Sequence, residues 1–289
     1  MAYETAITQK NQQIDTFVCV HHSDVGELLE WVLRAYELNF QPKGRLILIS
    51  NDPSKLQDFV ATTGVATDAV ISADGDWLSK SEMELPGWYR QQLIKLRAYE
   101  FCETENFCNL GADTVMLQPI TTEDMIDVNG FPVLYYTQHR FPDQHVRFER
   151  ERVTNVARIL QTEPTRAAQY VDFINDLFCF NRTALQDLQT YLETLYGQNP
   201  YQQILRNLDS ASVSGNQFGE WTLYSTYLLD VLKKDVTLRN TRPDFLYQVH
   251  GKLNMLAYRY NTKIVHFVGK AFDAEQIRRK LDRQMPVTQ

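Results

Sequence analysis

The order of elements in the first hundred residues constrains this chain most: short β-rich runs alternate with segments of helical period. Residues 15–20, Asp-Thr-Phe-Val-Cys-Val, are a β-rich run, and the polar loop His21-His22-Ser23-Asp24 follows it. Ser23 or Asp24 is placed to cap the next helix, where Val25, Leu28, Leu29, Val32, Leu33, Tyr36 and Leu38 recur at helical spacing. Residues 44–50 predict a second strand ending at Asn51-Asp52-Pro53. Ser54 is expected to cap a helix to about residue 63, and residues 68–72 predict a third strand. This rhythm is that of a parallel sheet with helices on its faces. Ligands of such sheets bind beyond the carboxyl ends of the strands, which directs attention to residues 21–24 and 51–52.

The pattern then loosens. Pro86-Gly87 marks a turn, and the helix after it carries an apolar stripe of Tyr89, Leu93, Leu96 and Phe101. Gln91 and Lys95 are four apart and share a face, with Gln92 beside them. Residues 106–110 read as a strand running into Gly111-Ala112-Asp113-Thr114, with a further apolar run at 115–117. The second half predicts strands at 131–136 and 263–268 and an apolar run at 173–180. It also predicts a basic helix at 147–161, a surface helix at 184–196, a Leu- and Tyr-rich helix at 218–232 and a charged helix at 273–283. A length of 289 residues permits two domains at about 150 residues each. No linker, repeat or low-complexity tract divides the chain. The expectation is one domain: a nucleotide-binding half (14–120), an acceptor-side half (121–272) and a C-terminal helix and tail (273–289).

Composition narrows the partners. Hydrophobic residues are 44% and charged residues 22%, enough apolar material for a large core. The net charge of −7 argues against a nucleic-acid partner, whose phosphates demand a basic surface. No run approaches the ~18 apolar residues of a membrane span. The first ten residues have neither the basic nor the apolar region of a signal peptide, and the four cysteines have no zinc or disulfide spacing. A cytoplasmic location is expected.

The chemistry concentrates at Gly111-Ala112-Asp113-Thr114. An acid at the end of a buried strand, on the ligand edge of a parallel sheet, can hold a divalent cation that neutralises a diphosphate leaving group. The same acid can equally serve a turn or a helix cap.

The order strand-loop-helix-strand, then Pro86-Gly-Trp-Tyr-Arg-Gln-Gln-Leu-Ile-Lys-Leu96, then Asn109-Leu-Gly-Ala-Asp-Thr-Val-Met-Leu117, resembles nucleotide-sugar glycosyltransferases of the GT-A fold. It is particularly similar to an uncharacterised bacterial group. In that group a Trp-Tyr-Arg-Gln-Gln-x-x-Lys-Leu helix precedes a Leu-Asp-x-Asp-Thr strand end. Val265-His-Phe-Val-Gly-Lys270 resembles the His-Phe/Tyr-x-Gly segment of glycogenin-like transferases, and Phe218-Gly-Glu-Trp-Thr-Leu-Tyr-Ser-Thr-Tyr227 resembles a Ser-Glu-Tyr-x-x-Tyr-Gly-x-Tyr helix of the bacterial group. The matches span about residues 14–270 and are strongest over 85–117. The resemblance implies an α/β GT-A (Rossmann-like) fold, a mostly parallel central sheet flanked by helices, with irregular and helical insertions in the second half. It implies transfer of a sugar from a UDP- or GDP-linked donor to a glycan, lipid or protein acceptor, with Mn²⁺ or Mg²⁺ held by Asp113 and His266.

One position departs from the pattern: Gly111 stands where the first acid of Asp-x-Asp is expected, which weakens the implied metal site. A metal-independent transferase, or a sugar-nucleotide-binding or scaffold protein without turnover, therefore stays open. A nucleotidyltransferase would need a Gly-rich basic loop after the first strand, and His21-His22-Ser23-Asp24 is not one. The candidate donor-binding residues are His21, Asp24, Gln91, Gln92, Lys95, Ala112, Asp113 and Lys270. Asp113, through its metal, and Glu220, as a base toward the acceptor hydroxyl, are the candidate catalytic residues. Each has a plainer alternative: a cap for Asp24, a solvated cation for Lys95 and Lys270, a first-turn helix acid for Glu220. Trp88 suits either core packing or stacking on a sugar. Arg147, Arg150, Arg152 and Arg158, interleaved with Glu149 and Glu151, read as a solvated face.

Overall fold

The computed structural model describes residues 13–137, 144–170, 172–173, 175–206, 218–241, 245–250, 262–268 and 274–282. The centre of the fold is β1 (Ile14–Val20), a strand on which six of seven residues are buried. Strands β2 (Lys43–Ser50) and β4 (Asn106–Leu110) flank it, both parallel, and β3 (Val70–Ala73) extends the sheet beyond β2. Strand β7 (Leu177–Asn181) closes the other edge antiparallel to β4, giving the order β3-β2-β1-β4-β7. The expected mostly parallel sheet is therefore present, with one antiparallel edge. Such an edge strand is common on doubly wound sheets.

Alternation along these strands divides the core between the two faces of the sheet. Val18, Leu48, Cys108 and Leu110 point to one face, against the apolar side of α1 (Glu27–Asn39), chiefly Leu29, Val32, Leu33 and Tyr36. Phe17, Ile47, Ile49 and Phe107 point to the other, where α3 (Gly87–Leu96), α4 (Gln144–Ile159), α5 (Arg182–Tyr196) and α6 (Glu220–Thr226) pack. Helix α2 (Pro53–Thr63) begins one residue before the expected cap. Asp52 accepts from Lys55 N–H at 3.1 Å, and Pro53 takes the first helical position, where its fixed φ suits the turn. Ser23 and Asp24 do not cap α1 either. They lie in a separate 3-10 turn (His22–Asp24), and Gly26 precedes the helix.

Two readings of the second half change. Helix α5 is amphipathic rather than superficial, burying Ala184, Leu185, Leu188 and Leu192. On α4 the charge run is not a uniformly solvated face. Arg150 and Arg158 are exposed, but Arg152 is buried beside a buried Glu149, with Nη1 donating to Oε2 at 2.6 Å. An i, i+3 pair on the inward side of a helix can exchange a charge-assisted hydrogen bond where the same residues read singly as surface. The side chain of Arg147 lies outside the described residues.

A second, three-stranded sheet decides the site. Strand β10 (Ile264–Val268) runs antiparallel to β5 (Thr114–Met116) and parallel to β9 (Leu246–His250). The register sets His266 opposite Thr114, and Phe267 N–H donates to Asp113 O at 3.0 Å. A short parallel pair, β6 (Leu134–Tyr136) with β8 (Leu238–Asn240), lies apart from it. Helix α7 (Ala274–Asp282) buries Ile277 and Leu281 in the core that holds α1. Among the described residues, no helix is long and apolar enough to cross a membrane.

Candidate functional site

The chain winds outward from β1 through β2 and β3, then returns to the opposite side of β1 as β4. Between the carboxyl ends of β1 and β4 the two connections must part, and the gap so formed is where open α/β sheets bind ligands. Two adjoining cavities occupy it here. The larger, about 300 Å³, reaches from Asp24 and Asp113 to Lys95, Trp88 and Trp221. The smaller, about 180 Å³, shares Asp24, Ala112 and Asp113 and continues past Ser23 and Gly26. Together they reach the lower range of small-ligand sites.

At the base of the larger cavity three segments meet. His266 Nδ1 lies 3.3 Å from Asp113 Oδ1, 3.1 Å from Asp176 Oδ2 and 3.2 Å from Thr114 Oγ1. Burial alone would lower the imidazole's pKa, but the carboxylates of Asp176 and Asp113 outweigh it and push it up to about 8. Burial raises the Asp176 carboxyl, opposed by His266. These directions pull against each other, since an imidazolium needs an ionised neighbour. With both carboxylates this close to Nδ1, the ion-paired state is the one the geometry supports. The cluster is closed on itself, its imidazole set between two acids. Among the described residues no group of three or more His, Cys, Asp or Glu side chains is arranged to hold a metal ion. Its donor set of carboxylate oxygens and one imidazole nitrogen nevertheless suits Mn²⁺ or Mg²⁺. Beyond this ion pair with His266, Asp176 Oδ2 makes no hydrogen bond.

The cavity wall is charged as well. Lys95 on α3 and Glu220 at the start of α6 form an ion pair at 2.7 Å, and the ammonium stands 4.2 Å from the centre of the Trp221 ring. Burial works to lower the Lys95 pKa, yet Glu220 reverses this and the net direction is upward. Cys19, on the same wall, is pushed up to about 12 by burial and so remains a thiol at neutral pH.

The other expected residues divide. Gln91 lines the larger cavity. Gln92 is 1% exposed; oriented to satisfy its neighbours, its amide donates to Phe218 O at 3.0 Å and accepts from Trp88 Nε1. Trp88 itself is 45% exposed at the cavity mouth, so its ring is not core. The His21 ring pairs with Ser23 Oγ at 2.8 Å, and the His22 backbone N–H donates to Asn51 Oδ1 at 2.8 Å. These contacts shape the turn that presents Asp24 to both cavities. Lys270 lies outside the described residues. Sequence reasoning missed Asp176 and Trp221. Asp176 lies inside the apolar run at 173–180 and has no motif around it. Only the antiparallel pairing of β7 with β4, which sets Leu177 opposite Leu110, brings it beside Gly111.

A family model described as "family of unknown function (DUF6492)" matches residues 11–267. The chain belongs to this family. No curated protein matches it. Among solved structures it is similar to the galactosyltransferase LgtC in complex with donor and acceptor sugar analogues. The TM-score is 0.51 at 13% identity, over 96% of this chain and 98% of that one. This member of the DUF6492 family therefore has a GT-A-like fold, with a mixed central sheet flanked by helices.

Proposed function

We propose that the protein is a glycosyltransferase that takes a sugar from a nucleoside diphosphate, UDP- or GDP-linked, to an acceptor. The observation that carries this is the placement of Asp24, Asp113 and His266 around one cleft at the switch point of the sheet. The LgtC structure, which holds donor and acceptor sugar analogues, supports the same reading at the level of fold.

In this reading the lobe between Ser23 and Asp113 receives the nucleoside, and Asp24 accepts hydrogen bonds from it. The larger lobe holds the sugar, with Gln91 offering both a donor and an acceptor to its hydroxyls. Asp113, and His266 once its imidazole has given up its proton, would hold a divalent cation, which would supply charge neutralisation on the departing diphosphate. Lys95 adds a fixed positive charge to the same wall. Glu220 holds that ammonium in place; to act as a base toward an acceptor hydroxyl it would first have to release Lys95. Trp88 at the mouth offers an aromatic face to the acceptor side. A second reading, sugar-nucleotide binding without turnover, is favoured by Gly111 and by the closed His266 cluster. It differs by producing no free nucleotide.

Thermal-shift and calorimetric titration with UDP- and GDP-sugars, with and without Mn²⁺, tests the proposal. Ligand at 100 times its Kd should stabilise the fold by about 2.7 kcal/mol. The expected result is a metal-dependent shift lost in Asp113→Ala. No response to any sugar nucleotide would overturn the proposal.

A further inference from the structure

Trp88 carries its polar and apolar parts the wrong way round for a surface tryptophan. A partly exposed indole ordinarily leaves its N–H in water and buries its apolar body. Here the N–H turns inward and donates to the amide oxygen of Gln92, one helical turn on and 1% exposed, while the ring is left 45% exposed. The Gln92 amide in turn donates to Phe218 O at 3.0 Å, just ahead of α6. Both ends of that buried amide are therefore engaged in holding the ring edge-in and face-out. Among the described residues the exposed large hydrophobic side chains are Val70, Trp88 and Val128. Val70 opens the edge strand β3, and Val128 lies in a turn whose Gly130 carbonyl accepts from Asn106 Nδ2 at 3.0 Å, at the amino end of β4. Of the three, Trp88 lines the cleft.

From this placement we infer that Trp88 is a stacking platform for a sugar ring, that the acceptor is therefore itself a carbohydrate, and that Gln92 is the positioning residue of the platform. An aromatic face fixed in this way meets the C–H face of a pyranose, and each surface releases the water held against the other. The hydroxyls around that pyranose need polar partners, and α3 supplies them on the same side. Trp88, Gln91 and Lys95 recur at i, i+3 and i+7, and all three line the larger cavity. Gln91 offers an amide donor and acceptor one turn from the ring. A lipid acceptor would call for more exposed apolar side chains beside Trp88, and neither Val70 nor Val128 lines the cavity. The inference deepens the proposed function and rests on its reading of the larger cavity as the place of sugar transfer.

The test uses the full chain with methyl β-lactoside and methyl β-cellobioside as probes, followed by saturation-transfer NMR and by the upfield shift that a facing indole imposes on sugar C–H protons. Wild type is expected to bind at least one of them with that shift. Trp88→Leu should abolish the shift and weaken binding by about tenfold or more, as truncating an aromatic anchor commonly does. Trp88→Tyr should retain most of the affinity. In Gln92→Met the Trp88 indole N–H, protected from solvent exchange in wild type, should lose that protection, and glycoside affinity should fall several-fold. A Gln92 that serves folding alone would lower the Tm and leave the affinity of the folded protein unchanged, which would overturn its positioning role. Wild-type affinity in Trp88→Leu, or Trp88-dependent binding of dodecylphosphocholine micelles in place of both glycosides, would overturn the inference. Sugar nucleotides that stabilise the protein while neither glycoside binds would also overturn it and leave the transferase reading standing. Trp88-dependent glycoside binding with no response to any sugar nucleotide would do the reverse.

Discussion

The Lys95–Glu220 pair ties α3 to α6 across 125 residues of sequence, and its contribution can be worked from its geometry. At 2.7 Å and an effective dielectric of about 20, the attraction is about 6 kcal/mol. The two side chains are only 11% and 2% exposed, so the cost of removing both charges from water is several kcal/mol each and offsets most of that attraction. The pair as a whole is therefore close to neutral for stability, while half a pair is not. Lys95→Met leaves Glu220 charged and buried and should cost about 3–5 kcal/mol. Part of that loss is the ammonium's contact with the Trp221 ring, worth about 1–2 kcal/mol when shielded from water. Glu220→Gln keeps an oxygen acceptor for Lys95, and Asp176 still acts favourably on the ammonium, so it should cost less, about 2–3 kcal/mol. The double variant Lys95→Met/Glu220→Leu removes both charges and should sit within about 2 kcal/mol of wild type.

Urea unfolding, with midpoint and slope fitted for each variant, measures this cycle. The expected signature is a double variant several kcal/mol more stable than the two single losses added together. Additivity within about 0.5 kcal/mol would refute the reasoning, because it would mean the two charges do not sense each other. The double variant also has a functional use. It keeps the fold while removing both charges, so a weakened sugar-nucleotide response in it would belong to the lost Lys95–Glu220 pair and not to unfolding.

Glu82 accepts from Arg97 Nη1 and Nη2 at 2.9 and 2.7 Å, and from Ser79 N–H and Oγ–H at 2.8 and 2.7 Å. Burial would raise its pKa, but Arg97 and Ser79 outweigh it and hold the carboxyl below its ordinary 4.5. A depressed folded-state pKa contributes stability above the unfolded value and loses it as pH falls through the folded one, so acidification below pH 4.5 should destabilise wild type more than Glu82→Gln. Melting curves at neutral and acid pH compare the two. Gly44→Ala would set a Cβ 2.8 Å from Asp15 N and 2.9 Å from Ile14 C, where neither strand backbone can yield, and should cost about 1–3 kcal/mol in calorimetric unfolding. Gly64 ends α2 with φ +67, so Gly64→Ala should cost about 1–2 kcal/mol in the same assay and leave ligand responses unchanged.

What was legible in the sequence is what local chemistry decides. Strand β4 occupies the expected residues 106–110, and β1 differs from expectation by one residue at its start. Both are apolar runs bounded by polar turns, and each strand buries both faces, so the signal lies within the segment itself. Capping was less legible because several residues compete for one role. Ser54 and Asp52 are both good caps, and Pro53, which cannot follow a helical residue easily but opens a helix well, decides for Asp52. The α4 charges were misread for a related reason. Arg152 and Glu149 share the inward face with Val153 and Val156, and nothing local marks that a charged pair is turned inward.

The candidate site lies at the far end of this scale. Asp113, Asp176 and His266 come from three segments, joined by the pairing of β4 with β7 and of β5 with β10. Neither pairing has a sequence signature, because antiparallel contacts between distant strands fix register through the whole sheet and not through a motif. His266 was recoverable from its resemblance to a family segment, and Asp113 from its position at a strand end. Asp176 had neither. Read along one strand, Gly111 is a lost ligand; read across the sheet, the same glycine is what allows Asp176 to approach, since any Cβ there would meet Thr114 and Asp176 together. A motif search weighs residues by their spacing along the chain, whereas a binding site depends on distances across it.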